Sequence, residues 1–395
     1  MVYFKKDNDT LGHNIGDQLL LTLADRMRAL VGDLGYVARQ GGDEFMILLP
    51  TDHEADLIEK TNTIKDALCS RYNIDQHEFF ITPSIGVSLY PRDGTDFDTL
   101  YQQADTAMYH AKHAGRNRFA FFTEKMQATS TRALTLSNAL HDALEQNEFS
   151  LHYQPQVSLI SGKVIGAEAL IRWHSKKLGH VSPGEFIPLA EESGQILAIG
   201  EWVVRTAVRQ IQQWIEAGIT PVRIAVNLSS AQFQVGDLPK TTIKILNEYR
   251  IPVEYLELEL TERIVAKDPE HTVIILESLQ ELGIRTSIDD FGTGYSSLSY
   301  LQRFSVYKLK IDQSFVRNMT TNTNDQVIIG TIILLAQQLG MTTIAEGVET
   351  KAQLDMLNNI GCDDIQGYYI SRPIPAEAFK KAYLENKQRI IAVDD

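Results

Sequence analysis

Apolar and polar positions follow two different periods in the first part of the chain. Residues Asp17 to Leu30 have apolar positions at helical spacing, which predicts a helix. Tyr36 to Gln40 and Glu44 to Leu49 flank the pair Gly41-Gly42, and this order predicts a β-hairpin with a tight glycine turn. Phe79 to Tyr90 predicts a further strand, interrupted by a proline. This part of the chain therefore mixes helices and strands.

The pattern then changes to a regular alternation. Phe97 to Ala114 predicts a helix that ends before a glycine, and Phe119 to Phe122 predicts a closing strand. Thr123 to Asn147 is polar, with leucines at near-helical spacing, and predicts a linker helix. From Phe149 onward, strands and helices alternate, which is typical of an α/β domain with a parallel sheet. We predict a first domain over residues 1–123, a linker helix over 124–139 and a second domain over 140–395.

Oxygen donors recur at the ends of apolar runs in the second domain. Glu168, Asn227, Glu259 and Asp289 follow one another at intervals of 59, 32 and 30 residues. A βα unit needs about 30 residues or more, so the first interval suits two units and the others one each. Repetition of such units predicts a (β/α)8 barrel with its chemistry at the C-terminal rim. The candidate ligands, which suit a hard cation such as Mg²⁺ or Mn²⁺, are Glu168, Asn227, Glu259, Asp289, Asp290 and Glu346.

Composition and charge narrow the classes of function. The chain has 395 residues, which favours two domains, and its net charge of −14 (37 basic minus 51 acidic residues) disfavours binding to a nucleic-acid polymer. No stretch approaches the ~20 uninterrupted apolar residues of a membrane span, so we expect no membrane contact in this segment. Cys69 and Cys362 lie in different halves, and we expect them to be reduced in a cytoplasmic protein. A longer parent protein could carry a sensor or membrane-anchored region upstream of Met1.

The run Glu168-Ala169-Leu170-Ile171-Arg172 resembles the signature of EAL-domain cyclic di-GMP phosphodiesterases. Further elements of that family follow in order between Leu140 and Tyr383. They are Gln154-Pro155, Asn227-Leu228-Ser229, Glu259-Leu260-Thr261-Glu262, Asp289-Asp290-Phe291-Gly292-Thr293-Gly294, Lys308-Leu309-Lys310-Ile311-Asp312, Glu346-Gly347-Val348-Glu349-Thr350 and Gln366-Gly367-Tyr368. The resemblance implies a TIM-like barrel that hydrolyses cyclic di-GMP to linear pGpG, and it favours a homodimer formed through this domain.

The resemblance also implies a role for each candidate residue, in a mechanism that uses two Mg²⁺ or Mn²⁺ ions. Glu168, Asn227, Glu259 and Asp289 hold the first ion, and Asp289, Asp290 and Glu346 hold or orient the second. Lys310 hydrogen-bonds the nucleophilic water, Arg172 clamps a phosphate, and Gln154 and Gln366 contact substrate and water. Glu349 resembles the residue that anchors the loop Asp289 to Leu298, and it joins Lys310 and Glu168 as a catalytic residue.

The first domain resembles another family. Gly41-Gly42-Asp43-Glu44-Phe45 resembles the signature of GGDEF-domain diguanylate cyclases, which have a mixed α/β palm-type fold. Asn8-Asp9-Thr10-Leu11-Gly12-His13, Ala104-Asp105 and Gly115-Arg116-Asn117 extend the match. The resemblance implies a nucleotide site in which Asn8 and Asp17 hold guanine, Lys112 and Arg116 hold the phosphates, Asp43 holds a metal and Glu44 helps to activate the ribose hydroxyl.

The first domain also departs from that family. Val2 stands where an acidic metal ligand is usual, and the family's first helix and first strand have no counterpart in this sequence. We therefore expect a structural or regulatory remnant, with GTP as an effector left open. Two further alternatives remain open for the whole chain. The first is a bifunctional cyclase and phosphodiesterase. The second is a receptor that binds cyclic di-GMP without cutting it.

Overall fold

The computed structural model describes residues 13–32, 35–51, 53–75, 77–235, 237–294, 298–385 and 389–391. The chain divides into two compact units, Met1–Thr135 and Leu136–Asp395, which are described separately. Asn8, Val2 and the rest of the first twelve residues lie outside the described part.

The described part of the first unit contains paired strands and helices. Its helices are α1 (His13–Val31), α2 (Glu54–Leu68) and α3 (Phe97–His113). Its strands are β1 (Tyr36–Gly41), β2 (Glu44–Leu48), β3 (Arg71–Ile74), β4 (His77–Phe80), β5 (Ser84–Val87) and β6 (Arg118–Phe121). The pairs β1–β2 and β3–β4 are antiparallel, whereas β5 and β6 run parallel.

The apolar pattern of α1 explains its place in the core of this unit. Leu19, Leu23 and Met27 lie on one face, and they pack with Ile64 of α2 and Tyr72 of β3. The hairpin predicted around the glycine pair is confirmed by β1 and β2. The single strand predicted over residues 79–90 is wrong. Two separate strands occupy this range, and they pair with different partners, β4 with β3 and β5 with β6.

Helix α4 (Glu124–Ala143) follows β6. Leu136, Leu140 and Ala143 in its last two turns are buried in the core of the second unit. Their spacing of three to four residues places them on one face of the helix, as the leucine pattern predicted.

The second unit begins within α4 and alternates strands with helices. Its strands are β7 (Phe149–Ser158), β8 (Val164–Ser175), β9 (Gly179–Val181), β10 (Arg223–Asn227), β11 (Leu256–Thr261), β12 (Arg285–Phe291), β13 (Lys308–Ile311), β14 (Thr342–Ala345), β15 (Asp364–Ile365) and β16 (Ile374–Pro375). Its helices are α5 (Pro183–Glu192), α6 (Ile196–Glu216), α7 (Ser230–Gln234), α8 (Leu238–Tyr249), α9 (Glu262–Lys267), α10 (Pro269–Glu281), α11 (Leu298–Leu301), α12 (Gln313–Asn318), α13 (Thr323–Gln338), α14 (Lys351–Asn359) and α15 (Ala376–Phe379).

Eight of these strands close into a barrel. The order around it is β7, β8, β10, β11, β12, β13, β14 and β15, and β15 then pairs with β7 again. The TIM-like barrel and the smaller α/β unit before it are confirmed. One detail of the (β/α)8 expectation changes, because β7 runs antiparallel to both of its neighbours. A short hairpin therefore joins β7 to β8 where a regular barrel has a helix.

Strand β8 is longer than the apolar pattern predicted. The run Val164 to Ala167 was expected to end at Glu168, but the strand continues to Ser175. Its outer part lies beside β7 and β9, and β16 pairs with the other edge of β7. Beyond the barrel wall, these four strands form an antiparallel arm.

Alternation along each strand separates an apolar outside from a polar inside. On β11, Leu256, Leu258 and Leu260 are fully buried among core residues, while Glu257 and Glu259 between them are 1% exposed. Neighbouring side chains of a strand point to opposite faces, so the two glutamates line the barrel interior. The sequence of alternating Leu and Glu thus places carboxylates in the interior of the barrel.

No helix in the described part of the chain is long and apolar enough to cross a bilayer.

Candidate functional site

The predicted ligands meet in one layer of the barrel interior, near the C-terminal ends of the parallel strands. Strand register aligns Asn227 of β10 with Glu259 of β11, and Glu168 of β8 lies opposite Ala225 of β10. Gln154 of β7 lies opposite Glu168 on the other side. The same parity of position brings all of these side chains to the interior face.

Lys310 of β13 lies at the centre of this layer and is fully buried. Its Nζ is 2.6 Å from Glu259 Oε2, 2.7 Å from Glu346 Oε1 and 3.1 Å from Asp289 Oδ2. Glu168 Oε2 is 3.8 Å from the same ammonium. A single, fully buried ammonium thus faces four carboxylates, of which Glu168, Glu259 and Asp289 are buried and Glu346 is half-buried.

Amide side chains hold Glu168 in place. Asn227 Nδ2 donates to Glu168 Oε1, and Gln366 Nε2 donates to Glu168 Oε2. Gln366 Nε2 also donates to Gln154 Oε1 at 3.2 Å, and Gln156 Nε2 donates to Gln366 Oε1 at 3.1 Å. Each of these glutamines is buried, so the network fixes the orientation of the carboxylate. Gln156 was not singled out in the sequence, although it lies two residues after Gln154 and so faces the same interior.

Asp289, Asp290 and Glu346 form a second acidic group beside Lys310. One carboxylate oxygen from each lies within 4.8 Å of the others. Asp290 has a φ of 53°, in the left-handed region that a residue other than glycine seldom adopts. Glu346 follows β14, and its backbone N–H donates to Ile311 O of β13 at 3.1 Å.

Burial and crowding shift the proton affinities of this site. Burial raises the pKa of Glu346 to about 8. Burial, together with Asp289 and Asp312, raises the pKa of Asp290 to about 6. Burial also raises the pKa of Glu259 well above its usual range, despite the attraction of Lys310.

Lys310 shows the opposite balance. Burial by itself lowers the pKa of an amine, but the carboxylates around Lys310 outweigh this effect and raise its pKa well above the usual value. The ammonium therefore remains charged.

The donor set fits divalent metal ions. Five carboxylates and one amide oxygen converge on this layer, whereas Lys310 is the single buried ammonium that touches them in the described residues. Such an excess of buried negative charge needs protons or cations to balance it. Oxygen-only ligands suit Mg²⁺ and Mn²⁺. In the trio Asp289, Asp290 and Glu346, one potential ligand atom from each residue lies close enough to share a cation.

Glu262 holds the described part of the loop after β12. Glu262 is 2% exposed, and its Oε2 accepts from Gly292 N at 2.9 Å and from Gly294 N at 3.0 Å. A Cβ on Gly294 would lie 3.0 Å from that carboxylate, so the glycine permits the close approach. Glu349 is exposed. The anchoring role predicted for Glu349 stays a prediction.

The position of Glu262 in the sequence is typical of a helix cap and gives no direct sign of a loop anchor. It is the first residue of α9, directly after β11, where a carboxylate usually stabilises the helix N-terminus. Its position three residues after Glu259 indicates that it lies near the candidate ligands. Only the tertiary structure shows that its side chain contacts the loop.

Arg172 lies beyond Glu168 on the same face of β8 and is half-buried. Its guanidinium is within electrostatic reach of Glu168 and of Tyr368. Arg172 is therefore placed next to the acidic layer, where one phosphate group could contact both the guanidinium and the layer.

The residues predicted for a nucleotide site in the first unit are spread over three elements. Asp17 lies on α1, Asp43 and Glu44 lie at the β1–β2 turn, and Lys112 and Arg116 lie at and after the end of α3. All except the half-buried Asp43 are exposed. Asn8 falls outside the described residues, so the geometry of the guanine contact stays a prediction.

Comparison with protein families agrees with both resemblances. Residues 137–373 match the family described as EAL domain, and residues 1–118 match the family described as diguanylate cyclase, GGDEF domain. Both matches lie in the same order that the signatures predicted.

Individual relatives cover both regions. The chain is 42% identical over 374 residues to the bifunctional diguanylate cyclase/cyclic di-GMP phosphodiesterase MucR of Pseudomonas aeruginosa, covering 95% of this chain and 55% of that protein. It is 36% identical over 380 residues to the cyclic di-GMP phosphodiesterase PdeR of Escherichia coli, covering 96% of this chain and 57% of that protein. The chain thus spans little more than half the length of these relatives.

A solved structure covers the second unit. The structure titled "PaMucR Phosphodiesterase, c-di-GMP complex" is 42% identical, with a TM-score of 0.60, over 62% of this chain and 99% of that chain. On the barrel, the signature residues and these matches, the chain belongs to the EAL domain family, with a GGDEF domain in tandem before the barrel.

Proposed function

We propose that this chain is a phosphodiesterase that hydrolyses cyclic di-GMP to linear pGpG. The observation that supports this most directly is the layer of Glu168, Glu259, Asp289 and Glu346 around Lys310, which gathers four carboxylate ligands beside one ammonium. The names of the relatives MucR and PdeR point to the same substrate. A receptor that binds without cutting would be expected to lack part of this set.

Each group has a task that follows from its place. Glu168, Asn227, Glu259 and Asp289 would hold one divalent cation, and Asp289, Asp290 and Glu346 would hold a second. Two such cations supply a water that is acidic enough to react and neutralise the charge on the phosphoryl oxygens. Glu349, exposed at the barrel rim, stays a proposed catalytic residue without a contact that defines its task.

Lys310 would orient the reacting water and stabilise the charge that develops on the phosphate. Its ammonium can donate three hydrogen bonds, and Glu259, Glu346 and Asp289 lie within 3.1 Å of it. Once these carboxylates bind cations, one N–H group of Lys310 would be released to donate to the reacting water and to charge that develops on the phosphate. The Gln154, Gln156 and Gln366 network keeps Glu168 turned toward the same point.

Arg172 would bind the substrate phosphate from outside the acidic layer. A planar guanidinium matches phosphate oxygens with two parallel hydrogen bonds. Because the layer itself is negative, a positive group at its edge is needed to draw an anionic diester toward it.

The test is a direct assay. Purified chain is incubated with cyclic di-GMP and Mg²⁺ or Mn²⁺, and the products are separated by chromatography. We expect linear pGpG to form, EDTA to stop the reaction, and Ca²⁺ to support binding without turnover, because its longer and looser coordination misplaces the water. Binding without product in Mg²⁺ and Mn²⁺ would instead show a receptor.

A further inference from the structure

The barrel interior contains a second polar layer, one step from the acidic layer toward the N-terminal ends of the strands. This lower layer includes Glu257 of β11, Ser287 of β12 and Lys308 of β13. Each of the three lies two residues before a member of the acidic layer. Residues two positions apart on a strand point to the same face, so the three side chains enter the barrel directly below that layer. All three are at most 1% exposed.

These side chains carry polar atoms without hydrogen-bond partners. Glu257 Oε1, Ser287 Oγ and Lys308 Nζ are buried, and none of them has a hydrogen-bond partner among the described residues. Lys308 Nζ is 3.0 Å from Asp364 Oδ2, but this ion pair engages at most one of its three N–H groups. Arg223 Nη1 approaches Glu257 at the other carboxylate oxygen, Oε2, at 3.6 Å. Native proteins seldom leave several buried polar atoms unpaired in one place, so the lower layer needs an explanation.

Small side chains leave space beside these atoms. TIM-like barrels usually fill their interior with layers of bulky branched side chains. In this barrel, Ala225 of β10 lies opposite Glu257 in the strand register, and it faces the interior because it is two residues before Asn227. On the other side of β11, Ser287 lies opposite Glu259, one step above Glu257. Two of the side chains around Glu257 are therefore small enough to leave room for a small molecule.

Cation–π contacts close the lower layer on the side away from the acidic layer. The guanidinium carbons of Arg223 and Arg285 lie 5.1 Å and 4.3 Å from the ring centroid of Tyr307, and Lys308 Nζ lies 5.7 Å from it. These residues stand at the beginnings of β10, β12 and β13. A molecule bound in the lower layer would lie between this group and the acidic layer, so it would exchange slowly with solvent.

The donors and acceptors of the lower layer select the ligand. Lys308 offers N–H donors, Glu257 Oε1 only accepts, and the Ser287 hydroxyl does either. An anion would be repelled by the carboxylates of Glu257 and Asp364, and a metal cation would be repelled by the Lys308 ammonium. Water is neutral and both donates and accepts. Buried waters typically make about three hydrogen bonds to polar groups that have no other partner, which matches this set.

We propose that a buried water site in the lower layer joins Glu257, Ser287 and Lys308, and that this bridge positions the acidic layer above it. The bridge links β11, β12 and β13, the strands that carry two proposed metal ligands and Lys310. It therefore fixes the spacing of these strands one step below the proposed metal site. Ser287 is thereby a positioning residue. The positioning half of this inference rests on the proposed function.

The test uses substitutions of Ser287, which has no proposed contact with metal or substrate. Ser287→Thr keeps the hydroxyl and Ser287→Val has nearly the same shape without it, so the two are a matched pair. Ser287→Ala removes the hydroxyl without adding volume. High-resolution crystal structures of the wild-type chain and the variants locate the water, and oxygen-17 magnetic relaxation dispersion counts slowly exchanging waters in solution. Calorimetric titration with Mn²⁺ and steady-state kinetics with cyclic di-GMP measure the effect on the layer above.

We expect the wild-type structure to show a water within about 3.2 Å of Glu257 Oε1, Ser287 Oγ and Lys308 Nζ. Ser287→Val should lose this water, and one slowly exchanging water should disappear from the dispersion profile. Its Kd for Mn²⁺ should rise about tenfold and kcat should fall with KM unchanged, as for changes behind a metal ligand. Ser287→Thr should keep the water and the wild-type affinity, and Ser287→Ala should fall between.

Two results would overturn the proposal. A wild-type structure without a water at these three atoms would remove the site itself. Equal Mn²⁺ affinities of Ser287→Val and Ser287→Thr would show that the hydroxyl and its water position nothing. If Ser287→Val does not fold, the wild-type structure still decides on the site, and Ser287→Ala decides on positioning. A wild-type chain that binds Mn²⁺ but does not cut cyclic di-GMP would refute the proposed function alone, because the water and Mn²⁺ measurements do not depend on turnover.

Discussion

Lys310 sets the charge balance at the residue scale. Its ammonium lies within 4 Å of four carboxylates and cannot leave without exposing their mutual repulsion. The same contacts that raise its pKa also prevent it from acting as a base at neutral pH. Its contribution to a reaction must therefore come from hydrogen bonding and charge.

The position of Lys310 among the carboxylates predicts how Lys310→Ala changes the kinetics. A donor that meets its partner mainly in the transition state affects kcat, so we expect kcat to fall by about 10²–10³ while KM changes little. Steady-state kinetics with cyclic di-GMP measure both, and calorimetric titration with Mn²⁺ checks that metal still binds. An increased KM with kcat intact would show that Lys310 serves ground-state binding.

The raised pKa of Glu346 predicts that metal binding releases a proton. Its pKa is raised to about 8, so at pH 7 and without metal its carboxyl is mostly protonated. A ligand must lose its proton to bind a cation, so binding at pH 7 should release about one proton, and affinity should rise as pH approaches 8. Titration with Mn²⁺ in two buffers of different ionisation enthalpy measures the release. Identical heats in both buffers would contradict it.

At the element scale, the loop after β12 depends on a residue of another element. Glu262 at the start of α9 accepts two backbone N–H groups of the loop, and the loop follows Asp289 and Asp290 directly. Position of the acidic pair is therefore coupled to a buried carboxylate that is not itself a ligand.

Glu262→Gln tests this coupling. An amide oxygen accepts more weakly than a carboxylate, and its NH₂ group would face backbone donors, so the loop should loosen. We expect metal affinity or kcat to fall by about 10–100-fold, as for other changes behind a metal ligand. Glu281→Gln, which changes the exposed last residue of α10, is the control. A Glu262→Gln chain with wild-type kinetics would show that the loop holds its position without this anchor.

A second layer of charges lies in the barrel below Lys310. Lys308 of β13 is 1% exposed, and its Nζ is 3.0 Å from Asp364 Oδ2 of β15. Glu257, two residues before Glu259, lies in the same layer and is also buried. Removal of one partner from a buried ion pair leaves an unpaired charge, which is far more costly than loss of an exposed pair.

Lys308→Met should therefore destabilise the second unit by about 3–5 kcal/mol, and combining it with Asp364→Leu should recover part of the loss. Urea denaturation followed by tryptophan fluorescence measures this, since all three tryptophans lie in the barrel unit. Lys177→Met, which changes an exposed lysine, should be neutral. Equal stability of Lys308→Met and Lys177→Met would show that the pair contributes nothing.

The elements also show what the sequence could and could not predict. The pair Gly41-Gly42 permitted only a tight turn, and the hairpin there was confirmed. The end of β8 was misplaced because Glu168 was taken as a strand end, although Ile171 to His174 continues the strict alternation. Strand β8 continues past Glu168 because it pairs with β7 across a hairpin. No residue type at Glu168 indicates this pairing.

At the scale of the whole molecule, chemistry concentrates in one unit. Every residue proposed for hydrolysis lies at position 154 or later, within the unit Leu136–Asp395. The sequence predicted that these residues would gather because successive βα units place their strand ends on one rim. It could not predict the anchor Glu262, because its contact with the loop depends on which faces of neighbouring elements meet.

This separation predicts the behaviour of the first unit toward GTP. Val2 replaces an expected acidic ligand, so we expect no cyclic di-GMP to form from GTP. Asp43→Ala and Glu44→Ala should leave hydrolysis of cyclic di-GMP intact, because no catalytic group of the barrel is changed. If GTP binds, a coupling of about 1–3 kcal/mol would alter KM or kcat by about 5–150-fold without consuming it. Calorimetric titration with GTP, paired with hydrolysis assays with and without it, measures both effects, and cyclic di-GMP produced from GTP would refute the remnant interpretation.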